Sequence, residues 1–145
     1  MPHVDAERLK RTTLFAALDD DQVRRFVDAA AVTEHQVGET LTEQGSLGHR
    51  FHLILDGAAD VERDGTAIAS LGPGDFVGEL GLLGGGPSTA TVRCTEPTRC
   101  LTLRREAFWR VLEEEPALAL RILEVLSRRL VQDLRTGATA NLGDE

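Results

Sequence analysis

The chain has 145 residues, 41% of them hydrophobic and 28% charged, with 24 acidic against 16 basic side chains and a net charge of −8. This length supports one domain with a core of its own, and an acidic balance with no basic arm argues against a surface for nucleic-acid phosphates. No apolar run reaches membrane length and the opening MPHVDAERLKR is polar, so neither a membrane span nor a signal peptide is read and a cytoplasmic protein is expected.

Residues 6–31 read as helical. Leu14-Phe15-Ala16-Ala17-Leu18 is a short apolar turn, and Asp19 followed by Gln22 has the form of a capping box, with further carboxylates favouring the positive end of the helix. Val23, Phe26, Val27 and Ala30 then recur at helical spacing, which predicts one buried face. From Thr33 the period changes to alternation. Val37–Leu41, Phe51–Leu55, Ala59–Glu62, Ala67–Leu71, Thr91–Cys94 and Cys100–Leu103 read as strands, with turns at Glu43 to Gly48, Asp56-Gly57, Gly72 to Asp75 and Glu96-Pro97. Asp64-Gly65 is a two-residue hairpin signal. Short strands at regular intervals, punctuated by turn residues, point to a jelly-roll or barrel and not to a parallel sheet.

Helical patterning returns at the end. Arg105–Glu114 predicts one helix, and Pro116, suited to a first helical position, opens a longer one running to about Arg135. The apolar positions of that helix, from Leu118, Ile122 and Leu123 to Leu130, Val131 and Leu134, cover more than one narrow stripe. Either all of it packs on the barrel, or part of it meets a second copy of the chain, an effector protein or a ligand. The last ten residues, 136–145, are rich in Gly, Thr, Ala and Asp and are expected to be a disordered tail, with no second domain.

Chemistry-bearing residues are sparse. Cys94 and Cys100 are too few for a disulfide scaffold or a zinc site and read as buried free thiols, on strands that are candidates for neighbours. His3, His35, His49 and His52 show no metal-ligand spacing, and no nucleophile-and-base pairing stands out, so no metal and no catalysis are expected. The stretch with functional character is Gly78–Val92, GELGLLGGGPSTATV. Gly78 permits backbone angles closed to other residues, and Glu79 to Leu83 can then form a helical turn whose free N–H groups face an anion. Glu79, the only charge in the stretch, suits a sugar hydroxyl, and Ser88, Thr89 and Thr91 supply hydroxyls as the chain re-enters a strand. A cradle for phosphate and ribose needs these groups.

Residue by residue the loop resembles the phosphate-binding cassette of cyclic nucleotide-binding domains, F-G-E-[LI]-A-L-L followed by P-R-x-A-[TS]-V. Phe76-Val77-Gly78-Glu79-Leu80-Gly81-Leu82-Leu83 and Pro87-Ser88-Thr89-Ala90-Thr91-Val92 follow that pattern in order, with one extra residue before the glycine. Glu39, Gly45, Gly57, Gly72, Gly74 and Asp75 stand where the family has its spaced marks. The resemblance implies a mainly β protein: N-terminal helices over 6–31, an eight-stranded jelly-roll over 33–104 with the cassette at 76–92, and closing helices over 105–135. It also implies cyclic AMP or cyclic GMP as the ligand, with no other cofactor, in a regulatory module without catalytic or DNA-binding parts. A catabolite-activator type of protein would need a helix-turn-helix after the long helix, and none is expected here because these 145 residues end first.

Carried over, the ligand-binding set is Val77, Gly78, Glu79, Leu80, Ser88, Thr89, Ala90 and Thr91. Glu79 would take the ribose, and the amides of Gly78, Leu80 and Ala90 would lie near ribose and phosphate. Thr89 falls at a position that bonds guanine in cyclic GMP sites. The family's phosphate-binding arginine falls on Ser88. A charge-assisted hydrogen bond contributes about 1.5–3 kcal/mol, so this exchange weakens nucleotide binding by roughly one to two decades unless hydroxyls, loop amides or Arg93 compensate. The alternative reading is a domain that has kept the fold, lost most of its nucleotide affinity and serves protein association or dimerisation.

Overall fold

A computed structural model describes residues 6–12, 14–16, 18–47, 50–78 and 86–132. Two short helices come first, α1 (Ala6–Lys10) and α2 (Asp20–Ala29). Eight strands follow: β1 (Ala31–His35), β2 (Thr40–Thr42), β3 (Arg50–Asp56), β4 (Ala59–Arg63), β5 (Thr66–Leu71), β6 (Phe76–Val77), β7 (Thr91–Cys94) and β8 (Thr98–Arg104). Helices α3 (Arg105–Glu114) and α4 (Pro116–Gln132) close the described chain. The strands form two antiparallel four-stranded sheets, ordered β1-β8-β3-β6 and β2-β7-β4-β5, so strands distant in sequence are neighbours in space, as in a jelly-roll.

The capping box forms as its residues predict. Asp19 Oδ1 accepts from the Gln22 amide at 2.8 Å, and the Asp19 amide donates to Gln22 Oε1 at 2.9 Å. Helix α2 buries Val23 and Phe26 completely. Two readings of this region need correction. The helical span of 6–31 is two helices with turns between them, and Ala31 already belongs to β1. The strand expected at Val37–Leu41 begins only at Thr40, because Gly38, at φ +91°, makes a turn and donates its amide to the Cys94 carbonyl.

Each strand of the first sheet divides its side chains between two partners. Phe51, Leu53 and Leu55 of β3, with Leu101 and Leu103 of β8, face the helices; Ile54, Cys100 and Val77 of β6 face the second sheet, where Ala59 and Val92 meet them. A series of aromatic contacts joins the helices to the sheet. Phe15 meets Phe26 edge-on at 4.9 Å between ring centres, Phe26 meets Phe51 at 6.0 Å, and Phe51 stacks on Phe76 at 5.4 Å and on Phe108 at 4.9 Å. Phe76 stands at the entrance to the glycine loop, so this packing fixes the point from which the loop departs.

The β4–β5 hairpin turns on Asp64 (φ 54°) and Gly65 (φ 82°), the paired left-handed residues that an Asp-Gly signal predicts. Pro116 opens α4, and Leu118 and Ile122 of that helix are buried in the core. Leu120 and Leu123 are 61% and 57% exposed, so part of the apolar surface of this helix is open to solvent. Among the described residues, no helix is long and apolar enough to cross a membrane.

Candidate functional site

The loop leaves β6 through Val77 and Gly78. Val77 is buried between the sheets, opposite His52 in the β3–β6 ladder. Gly78 has φ +97°, and a Cβ there would collide with the Arg50 carbonyl oxygen. Both the left-handed backbone and the close approach of β3 therefore require glycine. Glu79 and Leu80, the expected ribose ligand and its neighbour, lie outside the described residues, as does everything to Gly85.

From Gly86 onward the return segment is held on its backbone. Leu47 and Pro87 form a β-bridge, the Ser88 amide donates to the Ser46 carbonyl at 2.7 Å, and the Ser88 carbonyl accepts from the Gly45 amide at 2.8 Å. The Ala90 carbonyl accepts from Thr42 Oγ1 at 3.1 Å, and Thr91 Oγ1 accepts from the Gln44 amide at 2.9 Å. The Thr91 hydroxyl is thus a brace for the loop at 43–47. Ser88, half-buried, and Thr89, exposed, keep their side chains free of any described hydrogen bond.

Two residues that spacing did not suggest complete the junction. Gln44 clamps the hairpin tip: its Nε2 donates to Asp64 Oδ1 at 2.8 Å and its Oε1 accepts from the Asp64 amide at 2.9 Å. Arg63, at the end of β4, donates Nε to the Thr89 carbonyl at 3.3 Å and finds no carboxylate among the described residues. Arg93, the compensating cation suggested by sequence proximity, points elsewhere. It reaches Glu62 Oε2 at 3.3 Å and the Gly38 carbonyl at 3.2 Å, on the outer side of the second sheet. The β4–β7 register allows this contact, since Arg93 opposes Asp60 and Glu62 lies diagonally two residues along β4. Three segments, 43–47, 63–66 and 86–91, therefore meet at this junction, with the Arg63 guanidinium on the carbonyl of Thr89, the residue after Ser88. A cleft of about 570 Å³ lies apart from this junction, between α1, the end of β3 and α4, lined by Arg8, Thr12, Leu55, Asp75, Val125 and Arg128.

A roll of two antiparallel sheets, entered by a glycine-started loop between β6 and β7 and closed by helices, is the architecture of small regulatory ligand-binding domains. The model of the cyclic nucleotide-binding domain matches residues 32–115, more than half of the chain. This chain belongs to the cyclic nucleotide-binding domain family. It is 33% identical over 99 residues to a cAMP-dependent protein kinase regulatory subunit from Yarrowia lipolytica; the match takes in 68% of this chain and 26% of that protein. The chain thus spans about a quarter of the length of that relative. Among solved structures it resembles the catabolite activator protein of Thermus thermophilus, with TM-score 0.80 and 28% identity, covering 89% of this chain and 63% of that one. It also resembles the N-terminal domain of a transcriptional regulator from Streptomyces coelicolor, with TM-score 0.68 and 32% identity, covering 86% and 90%.

Proposed function

We propose that this chain is a regulatory module that binds a cyclic nucleotide, cAMP or cGMP, at the loop between β6 and β7. The observation that carries the reading is the Gly78 turn packed on the Arg50 carbonyl, because a left-handed glycine with no room for a side chain stands where the family pattern has its glycine. In this reading Glu79 receives the ribose hydroxyl, and the Gly78, Leu80 and Ala90 amides surround ribose and phosphate. Ser88 and Thr89 offer hydroxyls to the phosphate, and Arg63 supplies the positive charge that Ser88 does not. The module works by binding and not by catalysis, its output carried by α4, whose exposed Leu120 and Leu123 offer a contact for an effector or a second copy.

Those two leucines also favour a second reading, in which the fold serves association and nucleotide affinity is largely lost. Calorimetric titration with cAMP and cGMP separates the two. Binding in the micromolar to submillimolar range, with a melting temperature that rises with nucleotide concentration, supports the first. No heat and no thermal shift with either nucleotide at millimolar concentration overturns it.

A further inference from the structure

The two sheets enclose a polar group of side chains that the nucleotide reading does not use. Period-two alternation puts Thr33 and His35 of β1, Cys100 and Thr102 of β8, and His52 of β3 on one face of the first sheet, since Thr33 opposes Cys100 and His52 opposes Thr102 across the ladders. His52 is 4% exposed, Cys100 is fully buried, and the His35 side chain, at 15%, reaches towards the surface. The donor atoms of His35, His52 and Cys100 all lie within 4.8 Å of one another. The two rings stand perpendicular at 5.9 Å between centres.

From this arrangement we propose that His35, His52 and Cys100 form a binding site for a thiophilic divalent transition ion of the Zn²⁺ class, with three protein ligands and an open fourth position. Two imidazoles and a thiolate match what zinc selects, and its tetrahedral shell sets donors about 3.3–3.7 Å apart, so loading draws the three together by about an ångström. The partners beyond the donors support the site. Glu39 Oε2 lies 3.1 Å from His35 Nδ1, which turns His35 Nε2 inwards in the carboxylate–histidine–metal arrangement. The backbone at Gln36, and then His35 itself, hold the Glu39 carboxyl below the usual carboxylate range, so it is a charged acceptor at neutral pH.

Without an ion, the ring nitrogens are joined through hydroxyls. His35 Nε2 meets Thr33 Oγ1 at 2.9 Å, Thr33 Oγ1 meets Thr102 Oγ1 at 2.8 Å, and Thr102 Oγ1 meets His52 Nδ1 at 2.9 Å. Three contacts need three protons and the two hydroxyls carry two, so one ring nitrogen of the chain is itself protonated. The Leu41 backbone also bonds His52. Loading breaks this chain, frees the threonine hydroxyls and releases the Cys100 thiol proton to solvent as the metal–sulfur bond forms, while each imidazole binds as the neutral ring with its proton on the nitrogen that does not coordinate. No redox partner is involved. The site would tie β1, β8 and β3 together at one end of the roll, and it stands or falls independently of nucleotide binding.

The test uses the tag-free 145-residue chain, stripped with chelator and titrated with Zn²⁺ and with Co²⁺. One equivalent of Zn²⁺ surviving desalting is expected, and a Co²⁺ form with tetrahedral d–d bands and a sulfur-to-cobalt charge-transfer band. Cys100→Ser is expected to remove the charge-transfer band, and His35→Gln to weaken binding more than about a hundredfold, beyond the ten- to hundredfold typical of losing an outer partner such as Glu39. Circular dichroism of each variant confirms folding. Because His35 is partly exposed, its variant keeps the test open if a buried change disrupts the sheet. Less than stoichiometric retention by the wild-type chain, absence of the sulfur band, or equal affinity in folded His35→Gln overturns the site.

Discussion

Gly78 lies against the carbonyl oxygen of Arg50 so closely that the backbone of β3 occupies the place where a side chain would begin. Left-handed backbone and direct contact act on the same residue. Gly78→Ala is therefore expected to destabilise the domain by about 2–4 kcal/mol, more than the roughly 1 kcal/mol of a positive φ alone, because β3 and β6 must separate. Urea unfolding measures it. A loss below about 1 kcal/mol would mean that the loop leaves β6 along another path.

The surroundings of Ser88 predict opposite effects for two substitutions. If the proposed function holds, Ser88→Arg places a guanidinium at the loop and is expected to tighten cyclic nucleotide binding by one to two decades. Arg63→Ala removes the cation beside Thr89 and is expected to weaken binding about tenfold while changing stability little, since its 3.3 Å bond to the Thr89 carbonyl is exposed. Isothermal titration of the three proteins gives the order. Equal affinity in wild type and Arg63→Ala would remove Arg63 from the phosphate site.

Glu115 joins the helices asymmetrically. Its side chain is 4% exposed, it accepts from Gln22 Nε2 at 2.9 Å and Arg25 Nη1 at 2.6 Å, and the Arg25 side chain is itself 63% exposed. Removing the arginine strands a buried carboxylate, whereas neutralising the carboxylate merely returns an arginine to water. Arg25→Ala is thus expected to cost about 2–4 kcal/mol and Glu115→Gln less than about 1 kcal/mol, with the double variant close to Glu115→Gln. Chemical denaturation of all four proteins checks the order.

Burial, aided by the charges of His35 and Arg50, lowers the pKa of His52 from its ordinary 6.5 to about 4. The unfolded chain takes up this proton near pH 6.5 and the folded one only near pH 4, so between these values the unfolded state binds more protons. In metal-free protein, stability is therefore expected to fall as pH drops through that window, by about 3 kcal/mol in total, and to be insensitive to His52 above pH 7. The measurement is the pH dependence of unfolding free energy in chelator, for wild type and His52→Gln. A variant with an unchanged slope between pH 6.5 and 4 would assign the loss to other groups.

Much of the architecture is legible in local pattern. The Asp19–Gln22 box, the Asp64-Gly65 turn, Pro116 at a helix start and the bounds of α3 depend on contacts within a few residues, and the structure reproduces them. The misreadings sit where local pattern is weak. Val37 is apolar yet 61% exposed at a turn, and Ala31 continues the composition of α2 while pairing with Thr102 across the sheet. Cys94 and Cys100 are buried free thiols as expected, though β7 and β8 belong to different sheets.

The sequence by itself determined the alternation and turns of a two-sheet roll, the cassette letters from Phe76 to Val92, and the absence of an arginine at Ser88, because each is a matter of residue type at short separation. Only the tertiary structure decided which distant groups meet. The jelly-roll order brings β8 between β1 and β3, and with it Cys100 to His35 and His52; the hairpin and the loop at 43–47 bring Arg63 and Gln44 to the cassette while Arg93 turns away. Antiparallel pairing between remote segments is fixed by the packing of a shared core, and no spacing along the chain encodes it.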